Sequence, residues 1–151
     1  MKIELSGKVA LVTGAARGIG KAIADALSAN SAEVIYTDVD VDTVEESAAK
    51  TESRAIEMDV TDENQVKRVI EQVVGDSGSL DILVNNAGVN TIEHRVPIDQ
   101  FPREEWDRII NVDLNGLYLV SKAGATVMRK QGSGRSINIA SIAGLVPLRP
   151  Q

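Results

Sequence analysis

Hydrophobic residues recur along this chain in two alternating rhythms. Short β-branched runs give way to longer stretches whose apolar positions fall three or four apart. The short runs are "KVALVT" (Lys8–Thr13), "EVIYTD" (Glu33–Asp38), "RAIEMDV", "LDILVNNAG" and "SINIAS". Their length and composition predict buried strands. Between them lie helical patterns. Ile19, Ile23, Ala26 and Leu27 share one face of a helix over Ile19–Asn30, with Asn30 as the left-handed residue that ends it. "DTVEESAAKTES" reads as a polar helix capped by Asp42. "TDENQVKRVIEQVVGDSG" starts from Thr61 or Asp62 and places Val66, Val69, Ile70 and Val73 at helical spacing. A long connection from Val89 to Pro102 follows the fourth strand. A helical stretch then runs from Arg103 to Lys130, with a break at Asn115–Gly116, and "GSGR" turns the chain into the fifth strand.

This strand–helix repetition predicts an α/β fold. Right-handed crossovers make the sheet parallel and put helices on both faces. Runs such as "ILV" and "VALV" suit strands buried on both sides. The expected strand order is 3-2-1-4-5, the doubly wound, Rossmann-like arrangement. The 151 residues fit one domain.

Composition narrows the chemistry. A net charge of −6 argues against a broad grip on nucleic acid, and four aromatic residues are too few for a base-stacking platform. The absence of cysteine excludes disulfides and thiolate metal sites, which suits a reducing compartment. No apolar run approaches a membrane span, and "MKIELSGK" has no signal-peptide core. A cytoplasmic location is expected. The single histidine, His94, cannot build a histidine metal cluster and reads as a solvated loop residue.

The most informative stretch is "TGAARGIG", Thr13 to Gly20, which leaves the first strand and opens the first helix. Glycines allow a tight turn and close approach of a pyrophosphate, and the helix start favours an anion. A P-loop is excluded: five residues separate Gly14 from Gly20, and Ala22 follows Lys21. G-x-G-x-x-G also fails, because Ile23 holds its last position. What remains is G-x-x-x-G-x-G, at Gly14, Gly18 and Gly20. Alone, it can also mark a tight turn without a ligand. Asp38 ends the second strand 18 residues after Gly20, where a carboxylate can accept from adenosine ribose hydroxyls. It also reads as an ordinary strand-end aspartate.

Five stretches together carry a resemblance: "TGAARGIG", the acidic strand end at Asp38, "DV" at Asp59–Val60, "NNAG" at Asn85–Gly88, and "SINIAS" ending at Ser141. In order and spacing the chain resembles the short-chain dehydrogenase/reductase family in its classical form. Reductases of 3-oxoacyl thioesters and small polyol or sugar dehydrogenases share these motifs. The resemblance implies that Gly14, Gly18 and Gly20 form the cofactor turn, with Arg17 in it and Ile19 beside the nicotinamide end. It implies that Asp59 and Val60 serve the adenine, although Asp59 also suits a turn before the third helix. Asn86 would steady the central strand, while Ala87 and Gly88 admit the cofactor ribose. For Asn85 and Asn86 a purely structural role stands equally open, since their amides must find partners.

By the same resemblance Ser141 would hydrogen-bond the reacting oxygen and stabilise an oxyanion-like transition state. The family's catalytic asparagine, common in a V-N-L setting, is Asp113 in "INVDLNG". Asn111 and Asn115 flank it, and Asp113 also suits a capped residue at a helix break. The family's Tyr-x-x-x-Lys pair would fall just past Gln151, so the chain is expected to be the N-terminal portion of a longer enzyme. "YLVSK", Tyr118 to Lys122, has that spacing but precedes Ser141.

The implied function is an NAD-dependent oxidoreductase moving hydride between nicotinamide and a carbon bearing a hydroxyl or carbonyl. NAD is expected over NADP because Asp38 would face the 2′-phosphate, although Arg17 argues the other way. The partners implied are a small carbonyl or alcohol substrate and further copies of the chain, through the helical stretch from Trp106 to Lys130. A non-catalytic dinucleotide-binding or regulatory module is the alternative, and a chain that binds no cofactor is a third.

Overall fold

The computed structural model describes residues 3–91 and 96–142. His94 lies outside them. Five parallel strands, β1 (Val9–Thr13), β2 (Glu33–Asp38), β3 (Arg54–Glu57), β4 (Ile82–Asn85) and β5 (Arg135–Asn138), form one sheet of order β3-β2-β1-β4-β5. This is the order that the alternating pattern predicts. After β1 the chain winds outward to β3, then returns to lay β4 on the other side of β1. The reversal makes the carboxyl ends of β1 and β4 the topological switch point of the sheet.

Side-chain alternation builds two cores. Val9, Leu11, Ile35 and Leu83 face helix α3 (Glu63–Ser77) and helix α5 (Leu117–Gln131), meeting Val66, Ile70, Val73 and Val120. Ala10, Val12, Val34, Tyr36 and Val84 face helix α1 (Gly18–Ser28) and helix α2 (Val41–Ala49), meeting Ala24, Val44 and Ala48. The second core is alanine-rich, so α1 lies close to the sheet.

Several local expectations change. The packed side of α1 is Gly20 and Ala24, with Ile23 and Leu27 half-buried, while Ile19 and Ala26 face outward. The left-handed residue after α1 is Ser31 (φ 70°), not Asn30, whose side chain instead bonds the Ala26 carbonyl and the Ile3 N–H. Asp40, not Asp42, caps α2, accepting from the Thr43 N–H at 3.3 Å. Asp62 caps α3, accepting from Asn64 and Gln65, and left-handed Gly78 ends it. β5 is exposed along its length rather than buried, because it is the edge strand of the described sheet. The long helical stretch contains a π-helical segment, Asn111–Gly116, between α4 (Arg103–Ile110) and α5.

Gly116 explains that break. A Cβ there would sit 2.6 Å from Val60 Cγ2, so only glycine lets the segment lie against the loop after β3. π-turns of this kind are frequent at functional sites.

Candidate functional site

Thr13 closes β1 and is 1% exposed. Its hydroxyl oxygen accepts from the N–H groups of Asn86 (3.0 Å) and Ala87 (2.9 Å), beyond β4. Asn86 answers with its side chain: Nδ2 donates to the carbonyls of Thr13 and Gly14, each at 3.0 Å. Gly14 then takes a positive φ of 64°, and a Cβ on it would lie 2.8 Å from Ala87 Cα. Gly20 packs more closely still, its hypothetical Cβ 2.2 Å from the Gly14 carbonyl oxygen. Gly18 (φ 61°) opens α1, and Arg17 at the N-cap supplies no side-chain cap. The helix therefore starts with N–H groups open to an outside acceptor.

The second strand braces this turn. Ala15 N–H donates to the Thr37 carbonyl, and Ala16 N–H donates to Asp38 Oδ2 at 3.0 Å. Asp38 Oδ1 accepts from Asp40 N–H at 3.2 Å. A carboxylate offers about four lone-pair sites, so Asp38 keeps acceptor capacity for hydroxyl groups. Arg17 is exposed and faces Asp40, Nη1 to Oδ2 3.8 Å. From behind, buried Ser47 on α2 donates to the Ala16 carbonyl at 2.7 Å.

Asp59 follows β3. Its Oδ1 accepts from the N–H and hydroxyl of Thr61 (2.8 and 2.7 Å), and its N–H donates to Gln65 Oε1. It thus closes the turn before α3, with Oδ2 outside that turn. Val60 is 6% exposed and packs on the Gly116 side. Asp113 reaches from the π-helical segment to the loop after β4, where its Oδ1 accepts from Val89 N–H at 2.8 Å. It is also the side chain nearest Gly88. Asn115 donates to Asn111 at 3.3 Å, so the two flanking asparagines pair with each other instead. Ser141 is exposed and follows β5 at the same end of the sheet.

The two tyrosines lie in different settings. Tyr36 is fully buried, its phenol hydroxyl donating to Asp25 Oδ1 (2.9 Å) beside Thr51. Burial, reinforced by that carboxylate, pushes the phenol above its ordinary value despite the Thr51 contact. Tyr118 is exposed with Lys122 Nζ 5.7 Å from its ring centre. Lys122 also pairs with Glu63 at 3.2 Å, and that bond holds the ammonium above its ordinary range. The "YLVSK" spacing here makes a surface cation–π contact. Among the described residues no helix is long and apolar enough to cross a membrane. No group of three His, Cys, Asp or Glu side chains among them is placed to hold a metal.

A turn of this design, at the switch point of a five-stranded parallel sheet, has close counterparts. The family model described as short chain dehydrogenase matches residues 8–150. The chain belongs to the short chain dehydrogenase family. It is 40% identical over 146 residues to a galactitol 2-dehydrogenase of Agrobacterium fabrum, a match covering 94% of this chain and 56% of that protein. A 3-oxoacyl-acyl-carrier-protein reductase of Thermotoga maritima is 36% identical over 148 residues, covering 95% and 59%. A solved short-chain type dehydrogenase/reductase from Mycobacterium ulcerans superposes with a TM-score of 0.89 at 30% identity, covering 93% of this chain and 54% of that one. The chain spans little more than half the length of these relatives.

Within this chain the structure brings Gly14, Gly20, Asn86 and Ala87 into direct contact and ties Asp38 to the same turn. It brings Asp113 to Gly88–Val89. Thr13, Ser47 and Asp40 are parts of the site that composition and spacing did not single out. Thr13 opens the glycine stretch, so position alone could have marked it. Ser47 carried no signal, because its role depends on where α2 lands.

Proposed function

We propose that this chain provides the dinucleotide site of an NAD-dependent oxidoreductase acting on a small carbonyl or secondary-alcohol substrate. One observation carries the reading: Gly14, Gly20 and Asn86–Ala87 meet at the switch point of the sheet, with Asp38 bonded into the same turn. A Cβ at Gly14 or Gly20 would fill the space that lets backbone meet backbone there. The reductase and polyol dehydrogenase among the relatives support the substrate class.

A bound nicotinamide would supply or accept the hydride, and the residues of this chain would hold the cofactor and orient the reacting oxygen. The start of α1 and the glycine turn hold the pyrophosphate. Asp38 accepts from the adenosine ribose, and Asp59 and Val60 serve the adenine. Ala87 and Gly88 let the second ribose approach, with Ile19, 64% exposed, as apolar cover at the nicotinamide end. Ser141 donates a hydrogen bond to the reacting oxygen, strengthening as negative charge develops there. Asp113 fixes the Gly88–Val89 backbone through its bond from Val89 N–H. The apolar residues Leu117, Leu119, Val120, Val127 and Met128 suggest a contact between copies of the chain, but Val120, Val127 and Met128 pack in the core, so such a contact would use the exposed Trp106, Leu114 and Tyr118 instead.

NAD is favoured by charge. A 2′-phosphate about 5 Å from Asp38 meets a repulsion of about 1–3 kcal/mol per unit charge. Arg17, which would attract it, faces Asp40 instead. The test is a titration with NADH and NADPH, wild type beside Asp38→Ala. NADH should bind more tightly by about 5–150-fold, and Asp38→Ala should narrow the gap. Equal or tighter NADPH binding by the wild type refutes the assignment.

A further inference from the structure

Asn85 and Asn86 are adjacent at the end of β4, so their side chains leave opposite faces of the sheet. Asn86 serves the glycine turn. Asn85 points the other way, is 4% exposed, and takes no part in that turn. Its Nδ2 donates to Asn138 Oδ1 at 2.8 Å and to Ser121 Oγ on α5 at 3.0 Å, with Ser136 Oγ at 3.5 Å. Its backbone carbonyl accepts from Ile139 N–H at 2.9 Å. Asn85 and Asn138 are also register partners across β4 and β5. Two residues beyond Ile139 stands Ser141.

The same side chain has a defect. Asn85 Oδ1 is buried and has no hydrogen-bond partner among the described residues. A buried unpaired acceptor carries a desolvation cost, and an apolar residue of the same shape removes it. The partners would lose little, since Asn138 is exposed and Ser121 half-exposed. Stability alone therefore gives weak grounds for an asparagine at this position.

We infer that Asn85 is a positioning residue for Ser141. It clamps the end of β5 to β4 and α5 through Asn138, and so fixes where the serine hydroxyl meets the substrate oxygen. The inference rests on the role proposed above for Ser141. Asn85 and Asn86 then divide the labour of one strand end: Asn86 sets the cofactor turn, Asn85 sets the serine.

The experiment uses the full-length gene product, with steady-state kinetics, NADH titration and thermal unfolding. Asn85→Leu is expected to lower kcat by about 10-fold or more, since a misplacement of about 1 Å costs about 10²-fold. NADH affinity should stay within about 2-fold because Asn85 takes no part in the glycine turn, and the melting temperature should stay close to wild type because the change also removes the unpaired buried oxygen. Asn138→Leu should match that loss, and the Asn85→Leu/Asn138→Leu pair should be no worse than either alone. Asn138→Asp keeps the acceptor for Nδ2 and should restore most of kcat. It also covers the case in which Asn85→Leu fails to fold, since position 138 is exposed. Unchanged kcat in Asn85→Leu and Asn138→Leu overturns the inference. So does a parallel fall of kcat, NADH affinity and melting temperature, which marks an ordinary core residue. Ser141→Ala separates the two levels. Activity lost in Ser141→Ala but kept in Asn85→Leu overturns this inference alone. Activity kept in Ser141→Ala, or absent from the wild type, overturns the functional reading and this inference with it.

Discussion

One substitution, glycine to alanine, should have opposite effects at two helical positions of this chain. Gly20 lies in the first turn of α1 and Gly75 in the last turn of α3. Helix propensity favours alanine over glycine by up to about 1 kcal/mol in either place. At Gly75 nothing lies within 4 Å of the added methyl, so that gain stands alone. At Gly20 the methyl would lie 2.2 Å from the Gly14 carbonyl oxygen and 2.3 Å from Asn86 Nδ2. The first is backbone and cannot rotate away. The second makes two hydrogen bonds, to Thr13 and Gly14, that would have to lengthen. Overpacking costs about 1–3 kcal/mol, and two weakened hydrogen bonds add about 1 kcal/mol each. Set against the propensity gain, Gly20→Ala should destabilise by about 2–4 kcal/mol. Gly75→Ala should stabilise by up to about 1 kcal/mol. Urea unfolding of both variants reads the difference directly. NADH titration adds a second arm: Gly20→Ala should bind at least about 10-fold more weakly because the turn is displaced, while Gly75→Ala should bind as wild type does. Equal stability of the two variants, or wild-type NADH affinity in Gly20→Ala, would refute the close-approach argument.

Two further predictions concern the scaffold. Asp81 accepts from Val9 N–H (3.1 Å), Lys8 Nζ (3.0 Å) and Ser79 Oγ (2.8 Å), so Asp81→Ala strands a buried N–H and should cost about 2–3 kcal/mol in urea unfolding. Burial pushes the Asp81 carboxyl up, but the bonds from Val9, Lys8 and Ser79 outweigh it and hold it below its ordinary value. Its stabilising share is therefore complete above the unfolded value of about 3.9 and is lost as pH falls through the lower folded value. Acid titration of stability should be shallower in Asp81→Asn over that window, and an unchanged slope would count against the assignment. Gly116→Ala would press a methyl 2.6 Å from Val60 Cγ2, a stiff β-branched neighbour, and should cost about 1–3 kcal/mol. Val60→Ala should recover part of that loss in the double variant, and strict additivity would show that Val60 is not the obstacle.

The sheet was legible in the sequence because each strand announces itself locally. β2 runs over Glu33–Asp38, the stretch that its β-branched and aromatic composition marks out. The strand order then follows from alternation and crossover handedness. Caps were harder. "DVDVD" offers Asp38, Asp40 and Asp42 at a spacing of two, and each is a good capping residue. Which one caps depends on how sharply the chain leaves β2. Asp38 is turned back to Ala16, so Asp40 is the first aspartate free to meet α2. Asn30 and Ser31 show the same limit: the asparagine side chain is spent on Ala26 and Ile3, and the left-handed step moves one residue on. Asp81 gave no signal at all. Its importance lies in joining β1 and β4, which are 72 residues apart in the chain at the Leu11–Leu83 pairing.

The candidate site divides along the same line. The glycine turn is a local device, since Gly14, Gly18 and Gly20 take unusual backbone shapes or close approaches within seven residues of one another. Its spacing alone therefore carried information. Asp113 is the opposite case. From the sequence it was a departure at an asparagine position, with a capping role equally open. The fold gives it a specific task, because the π-helical segment turns it toward Val89 N–H while Asn111 and Asn115 pair with each other. An asparagine oxygen could accept the same bond, but the carboxylate makes it charge-assisted, and such bonds are roughly twice as strong as neutral ones. The departure thus strengthens the hold on the loop after β4. Asp113 Oδ1 also lies 3.5 Å from where a Cβ on Gly88 would stand, so a side chain added at position 88 would be in contact with the acceptor of that bond.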